Sequence, residues 1–249
     1  MRIFSFFGKL DYIRTTHAHA GHVLCVSIRP AMSFRLYILL SALLWLLGAT
    51  SSVCAHNGSF AMAAAIEGIV VDGDLRDWPR HLPRYPIGNS VHDAPLDDDD
   101  LSASFRVGYD VSRNRILVAV EIIDESIVIP DQPEGDWTHA DGCELYLDVT
   151  HGKGPGVQLS RWGAVTSVQG DASGIRFGVE SSMHARRRVY EWWVDVSTLG
   201  DGLQLEPGID IAFDVAVEDR DADNSFTWTS WGPRTQKLQG EGRLGDLLV

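Results

Sequence analysis

The sequence is poor in cysteine, in methionine and in positive charge. Its 249 residues hold three cysteines, and two of them, Cys25 and Cys54, fall in an N-terminal stretch that reads as a leader. Cys143 is left alone, so no intrachain disulfide is expected in the folded chain. Lys and Arg number 21 against 34 Asp and Glu, a formal net charge of −13. Such acidity disfavours nucleic acid and anionic membrane surfaces, and suits cations. Also missing are a Ser-His-Asp arrangement, a phosphate-binding glycine loop and a histidine metal motif. No segment keeps a helical period, and no internal repeat stands out. No apolar run reaches the roughly 20 residues that a membrane-spanning helix takes.

The longest such run, Leu36–Leu47, follows the basic Arg35 and is broken only by Ser41. With Val53-Cys54-Ala55 behind it, this is the layout of a secretory signal peptide, cleaved after Ala55. An uncleaved signal anchor is the alternative and would be the chain's route to a membrane. A lipoprotein reading of Cys54 is weakened by Val53, where a small residue is expected. Signal peptides begin close to their basic region, so Met32 is the expected start of translation. His17, His19 and His22 would then belong to no mature protein. The expected organisation is a leader over 1–55, a flexible start over 56–65 and one folded domain over 66–249. Removing the leader's net +4 leaves a secreted or periplasmic protein with a formal charge near −17.

From Ile66 onward short apolar-polar alternations are separated by turns of Gly, Asp and Asn. Ala103–Tyr109, Ile116–Ile123, Glu144–Val149, Val157–Val168, Ile175–Val179, Arg188–Val196, Ile209–Val217, Phe226–Trp231 and Leu244–Val249 read as strands. Period two of this kind predicts an all-β chain, an antiparallel β-sandwich of immunoglobulin-like or jelly-roll-like type. Single helical turns are expected at most, over Leu75–Leu82 and Val196–Leu199.

Within that frame the chemistry-bearing residues are few. Trp137 sits in a loop rich in Pro, Asp and Gly, placed to stack on the C–H face of a sugar. Glu144 and Tyr146 share one face of a strand whose Leu145 and Leu147 face the core. Gln158, Ser160 and Trp162 share a face too, and are ligand contacts if that face is concave. Trp192 and Trp193 must point to opposite sides of their strand, as must Trp228 and Trp231. Asp219, Asp221 and Asp223 have a spacing that suits oxygen ligation of calcium, and Asp72 with Asp74 form a further hard-oxygen cluster. Each such cluster can equally be a solvated acidic turn. Met183-His184 admits a haem-binding alternative, although adjacent residues cannot ligate opposite haem faces. Carboxylate pairs for a glycoside hydrolase are present on paper only. Cys143, inside a strand, reads as packed rather than reactive.

Taken in order, these strings resemble a family 9 carbohydrate-binding module of the DOMON-like β-sandwich superfamily. Val71-Asp72-Gly73-Asp74-Leu75-Arg76-Asp77-Trp78 resembles its first strand and turn. Arg106–Asp124, Trp137 with Asp141–Asp148, Tyr190-Glu191-Trp192, Ile211–Asp219 and Leu244-Gly245-Asp246-Leu247 resemble its later units. The resemblance implies a calcium-stabilised sandwich that binds saccharides, commonly attached to xylan-degrading enzymes. Trp137 and Glu144 match the family's first tryptophan and its glutamate. Ser160 and Trp162 stand where an Arg and an Asn are expected. No Trp lies between Trp231 and Leu244, where a second stacking wall belongs, which leaves Trp162 or Trp231 as substitutes.

The expected function is therefore an exported, non-catalytic module that binds a saccharide through an aromatic platform and serves polysaccharide breakdown. The expected ligand residues are Trp137, Glu144, Tyr146, Gln158, Ser160, Trp162 and Trp231. The expected calcium ligands lie among Asp72, Asp74, Asp219, Asp221 and Asp223. The alternative is an extracytoplasmic sensing or interaction module with a degenerate sugar site. A neighbouring glycosidase or sensor protein would be the respective partner.

Overall fold

Alternating side chains sort themselves onto two sheets packed face to face. The computed structural model describes residues 57–90, 100–129, 140–151, 156–170, 174–200, 202–234, 237 and 243–249. The leader and Trp137 lie outside the described residues. The strands are β1 (Phe60–Met62), β2 (Ala64–Ala65), β3 (Tyr85–Ile87), β4 (Asn89–Ser90), β5 (Leu101–Asp110), β6 (Arg115–Asp124) and β7 (Gly142–Asp148). They continue as β8 (Val157–Trp162), β9 (Val165–Gly170), β10 (Phe177–His184), β11 (Arg187–Asp195), β12 (Asp210–Arg220), β13 (Phe226–Ser230) and β14 (Gly245–Leu248). A 3-10 turn over Val196–Thr198 is capped by the Asp195 side chain, which accepts from the Ser197 N–H. No helix among the described residues is long and apolar enough to cross a membrane.

The first sheet runs β1-β14-β12-β7-β8-β9, with β13 on the other half of β12 and β4 on β13. The second runs β10-β11-β6-β5-β2, with β3 also on β5. Between them lie Cys143, Leu145 and Leu147 of β7, Phe213, Val215 and Val217 of β12, and Phe105, Val118, Tyr190 and Trp192 from the second sheet. Each large side chain fully buried here contributes about 1.5–3 kcal/mol through apolar area removed from water. The all-β sandwich expected from period two is thus the fold.

Three details differ from the sequence reading. The sheets are mixed: β1 pairs with β14 and β2 with β5 in parallel. Those two strands come from the stretch expected to be a flexible start, which instead closes an edge of each sheet. The stretch Val157–Val168 is not one strand but the β8–β9 hairpin, turned at Gly163-Ala164. Gly163 sits at φ 52, a conformation glycine adopts without strain and tight hairpin turns require. The segment before β3 forms no strand beyond β2, but lays Ile66, Ile69, Leu75, Trp78 and Leu82 over the outer face of the second sheet. Trp78 plugs that layer, 2% exposed, and its indole N–H donates to Glu191 at 2.6 Å.

Candidate functional site

The site is the outer face of the first sheet, where polar side chains line up because the even-numbered positions of β7, β8 and β12 all point away from the core. Glu144 stands opposite Ser160 on β8 and Ala216 on β12, and Tyr146 stands opposite Gln158 and Asp214. Gly142 lies between Trp162 and Glu218, and Glu218 in turn faces Trp228 on β13. The register therefore brings Glu144, Tyr146, Gln158, Ser160 and Trp162 onto one surface, with Glu218 and Trp228 added to it.

Glu144 is the hub. Its Oε2 accepts from the Tyr146 hydroxyl at 2.6 Å, and its Oε1 accepts from the Gln158 amide and from Ser160 Oγ at 3.4 Å. The Trp162 indole N–H donates to Glu218 Oε2. Gly142 makes that contact feasible, since a Cβ there would overlap both the Glu218 carboxyl and the Trp162 ring. Glu144 is 2% exposed and Glu218 fully buried. Burial raises both carboxyls, and the neighbouring Glu144 charge pushes Glu218 up further. Of the two, Glu218 is the carboxyl that its surroundings push toward the protonated form, whereas Glu144 has donors on both oxygens. Trp162 and Trp228, both half-buried, flank this polar floor.

Below the hub a second buried pair fastens the surrounding chain. Lys237 Nζ meets Asp214 Oδ2 at 2.7 Å and donates to the carbonyls of Gly232 and Pro233. Asp214 also accepts from the Val215 and Gly232 N–H groups. Burial pushes the Asp214 carboxyl up to about 6, with Lys237 opposing.

The candidate calcium ligands do not form one cluster. Asp72 and Asp74 sit in an exposed turn, where Asp74 is paired with Arg76. Asp223 is exposed and accepts from Ser225. Asp219 and Asp221 instead approach Asp100, with one carboxylate oxygen from each within 4.8 Å of the others. Asp219 Oδ2 and Asp221 Oδ1 are buried and receive no hydrogen bond. A cation bound at 2.3–2.6 Å from hard oxygens, roughly the calcium range, fits this spacing and would satisfy both. Asp219 also belongs to a buried cluster with Asp124 and Asp141 around Arg188, at 3.0, 2.7 and 3.5 Å respectively. Three carboxylates against one guanidinium leave an excess of negative charge. Burial and then Asp124 push Asp219 up to about 9.

Of the expected ligand residues, Trp231 does not join the face. Its ring lies in the core, edge-on to Phe105 at 5.4 Å and to Phe213 at 6.0 Å. The opposite parity puts Trp228 outward, so the aromatic that the sequence reading passed over is the one beside the polar floor. Glu218 was missed as well, although it continues the outward set Ala212, Asp214 and Ala216 of β12. Trp137 lies outside the described residues. Met183 and His184, as successive residues of β10, point to opposite sides and do not converge.

The two-sheet sandwich has the same fold as solved family 9 carbohydrate-binding modules. A family 9 module from Caldicellulosiruptor kristjanssonii in complex with cellotriose superimposes with a TM-score of 0.61 at 16% identity, over 76% of this chain and 93% of that one. The same organism's module in complex with glucose gives 0.60 at 14% identity, over 76% and 95%. A proposed carbohydrate-binding protein from Bacteroides uniformis gives 0.55 at 12% identity, over 76% and 98%. No protein-family model and no curated protein matches the sequence.

Proposed function

We propose that the protein is a non-catalytic carbohydrate-binding module that holds a saccharide against the outer face of the first sheet. The observation that carries this reading is the hydrogen-bonded floor of Glu144, Tyr146, Gln158 and Ser160 set between Trp162 and Trp228. Aromatic edges offer stacking to sugar C–H faces, and a preorganised carboxylate offers a strong acceptor to hydroxyls. The structural likeness to modules solved with cellotriose and glucose points to the same ligand class. The Glu144–Glu218 arrangement argues against a glycosidase. Catalytic carboxyls flank an open space about 5–9.5 Å across that admits the scissile bond, whereas Glu144 and Glu218 are both buried.

On this reading the protein is exported by way of Leu36–Leu47 and works beside enzymes that degrade xylan- or cellulose-type polysaccharides. Calcium at Asp100, Asp219 and Asp221 steadies the β12 end of the sheet. The alternative, a sensing or interaction module, draws support from one fact: Glu144 is almost inaccessible and both its oxygens already have donors. Titration with cello- and xylo-oligosaccharides separates the two. Saturable binding that is lost in Trp162→Ala supports the module; no binding by any oligosaccharide favours the alternative.

A further inference from the structure

The opposite side of the molecule carries a feature that sugar binding does not use. Where the segment over residues 66–84 leaves the outer face of the second sheet uncovered, a cleft of about 350 Å3 opens. Arg76, Arg80 and Arg84 line it from the covering segment, and Arg106 of β5 and Arg187 of β11 line it from the sheet. In a chain of net charge −13, five guanidinium groups converge on one opening.

Their internal counter-charge is small. Glu121 is shared by three of them, at 2.8 Å from Arg187, 3.1 Å from Arg84 and 3.8 Å from Arg106. Asp74 is held by Arg76. Among the described residues, five cations against two carboxylates leave an excess of three positive charges around the opening.

Arg106 is the decisive residue. Its side chain is 8% exposed, and its nearest carboxylate oxygen is at 3.8 Å. Among the described residues it donates no hydrogen bond, and its guanidinium lines the cleft with only the shared Glu121 carboxylate at 3.8 Å. A largely buried cation with one distant, shared counter-charge is short of negative charge, and an arriving anion supplies it. Burial, followed by repulsion from Arg84, weakens its hold on its proton, in line with a cation short of counter-charge.

We propose that this cleft binds an oxyanion, the carboxylate, sulfate or phosphate group of an acidic ligand, with Arg106 at its floor and Arg84 and Arg187 at its sides. Guanidinium forks match the paired oxygens of all three groups, and a cleft lined by one sign of charge concentrates the opposite ion. The site is separate from the Glu144 face and does not depend on what binds there.

The test is calorimetric titration of the full chain at low ionic strength in chloride buffer with three probes: inorganic sulfate, inorganic phosphate and oligogalacturonate. The expected result is one-to-one binding of at least one probe in the millimolar range or tighter, weakening as salt is raised. A response to the inorganic ions alone assigns a sulfate or phosphate group; a response to oligogalacturonate alone assigns a carboxylated saccharide. Arg84→Gln, at an exposed position, and Arg187→Gln should each weaken binding by roughly tenfold, the scale of one lost charge-assisted contact. Arg113→Gln removes an equal charge outside the cleft and should leave the affinity unchanged. Absence of heat with all three probes overturns the proposal, and so does an equal loss in the Arg84 and Arg113 variants.

Discussion

Glu144 and Glu218 lie buried on the same face of the β7–β12 pair, and burial raises both carboxyls. The asymmetry of their surroundings raises Glu218 further. Glu144 is met by donors from Tyr146, Gln158 and Ser160, whereas Glu218 Oε1 receives none. A protonated Glu218 would resemble a glutamine: one oxygen accepts from Trp162 and the other end would carry a donor to offer Glu144.

Glu218→Gln should therefore change stability by less than about 1 kcal/mol, since the amide reproduces both contacts. Glu144→Gln should cost about 1–3 kcal/mol, because its amide N–H2 meets donors that then lose their acceptor. Urea denaturation of the two variants measures the difference. Equal losses in both would mean that the proton is not fixed on Glu218.

The sequence shows which residues share a face but not what lies over that face. Alternation placed Glu144 with Tyr146, and Gln158 with Ser160 and Trp162, and strand register joined the two sets. Burial was not legible: Glu144 and Ser160 look like a solvated strand surface until Trp162, Trp228 and Leu244 are seen around them. Parity separated Trp228 from Trp231 correctly, but nothing local says which of two adjacent aromatics faces the core. The Arg106 cleft was invisible for the same reason. Its arginines come from three distant stretches whose neighbourhood only β5, β6 and β11 create.

Trp231 can be tested on its own terms. Its indole packs edge-on against Tyr85, Phe105 and Phe213. Trp231→Ala should destabilise the sandwich by about 3–5 kcal/mol, the usual cost of emptying a large aromatic site in a core. Any folded fraction should keep the saccharide affinity of the parent. A folded variant of normal stability that has lost sugar binding would return Trp231 to the ligand face.

Asp214 gives a pH dependence with a definite sign. Its native carboxyl is raised to about 6 from an ordinary value near 3.8. Between those values the unfolded chain has released a proton that the folded chain retains, so stability falls as pH rises through that window. The slope from one such group is at most about 1.4 kcal/mol per pH unit. Replacing the pair by Asp214→Asn with Lys237→Met removes both buried charges together, which avoids stranding one of them. The difference in unfolding free energy between parent and double variant, followed from pH 4 to pH 7 by roughly unit steps, should shrink as pH rises. A constant difference would place the Asp214 carboxyl in the ordinary range.

Calcium makes a separable claim. If Asp100, Asp219 and Asp221 hold it, millimolar calcium should raise Tm relative to chelator, because a ligand bound only by the folded state stabilises it by mass action. Asp221→Asn should remove most of that increment. Asp74→Asn, in the exposed turn paired with Arg76, should leave it intact. A chelator-insensitive Tm would end the calcium reading, and an increment lost with Asp74 rather than Asp221 would move the site to the other turn.

The saccharide face is tested through Trp162, because Glu144 variants mix binding with stability. Trp162 is half-buried, lies over Gly142 and reaches Glu218, so it combines an accessible ring with a fixed orientation. Trp162→Ala should weaken binding of cello- or xylo-oligosaccharides by about 1–3 kcal/mol, the range for losing an aromatic anchor. Gly142→Ala should weaken it too while leaving the ring in place chemically, since the added Cβ occupies the space where the indole and the Glu218 carboxyl meet. Trp137→Ala supplies the comparison for the aromatic that the sequence put forward first. Loss in all three variants places one platform across the loop and the sheet. Loss in Trp137→Ala alone, with the Trp162 and Gly142 variants binding as the parent does, would move the ligand off the Glu144 face.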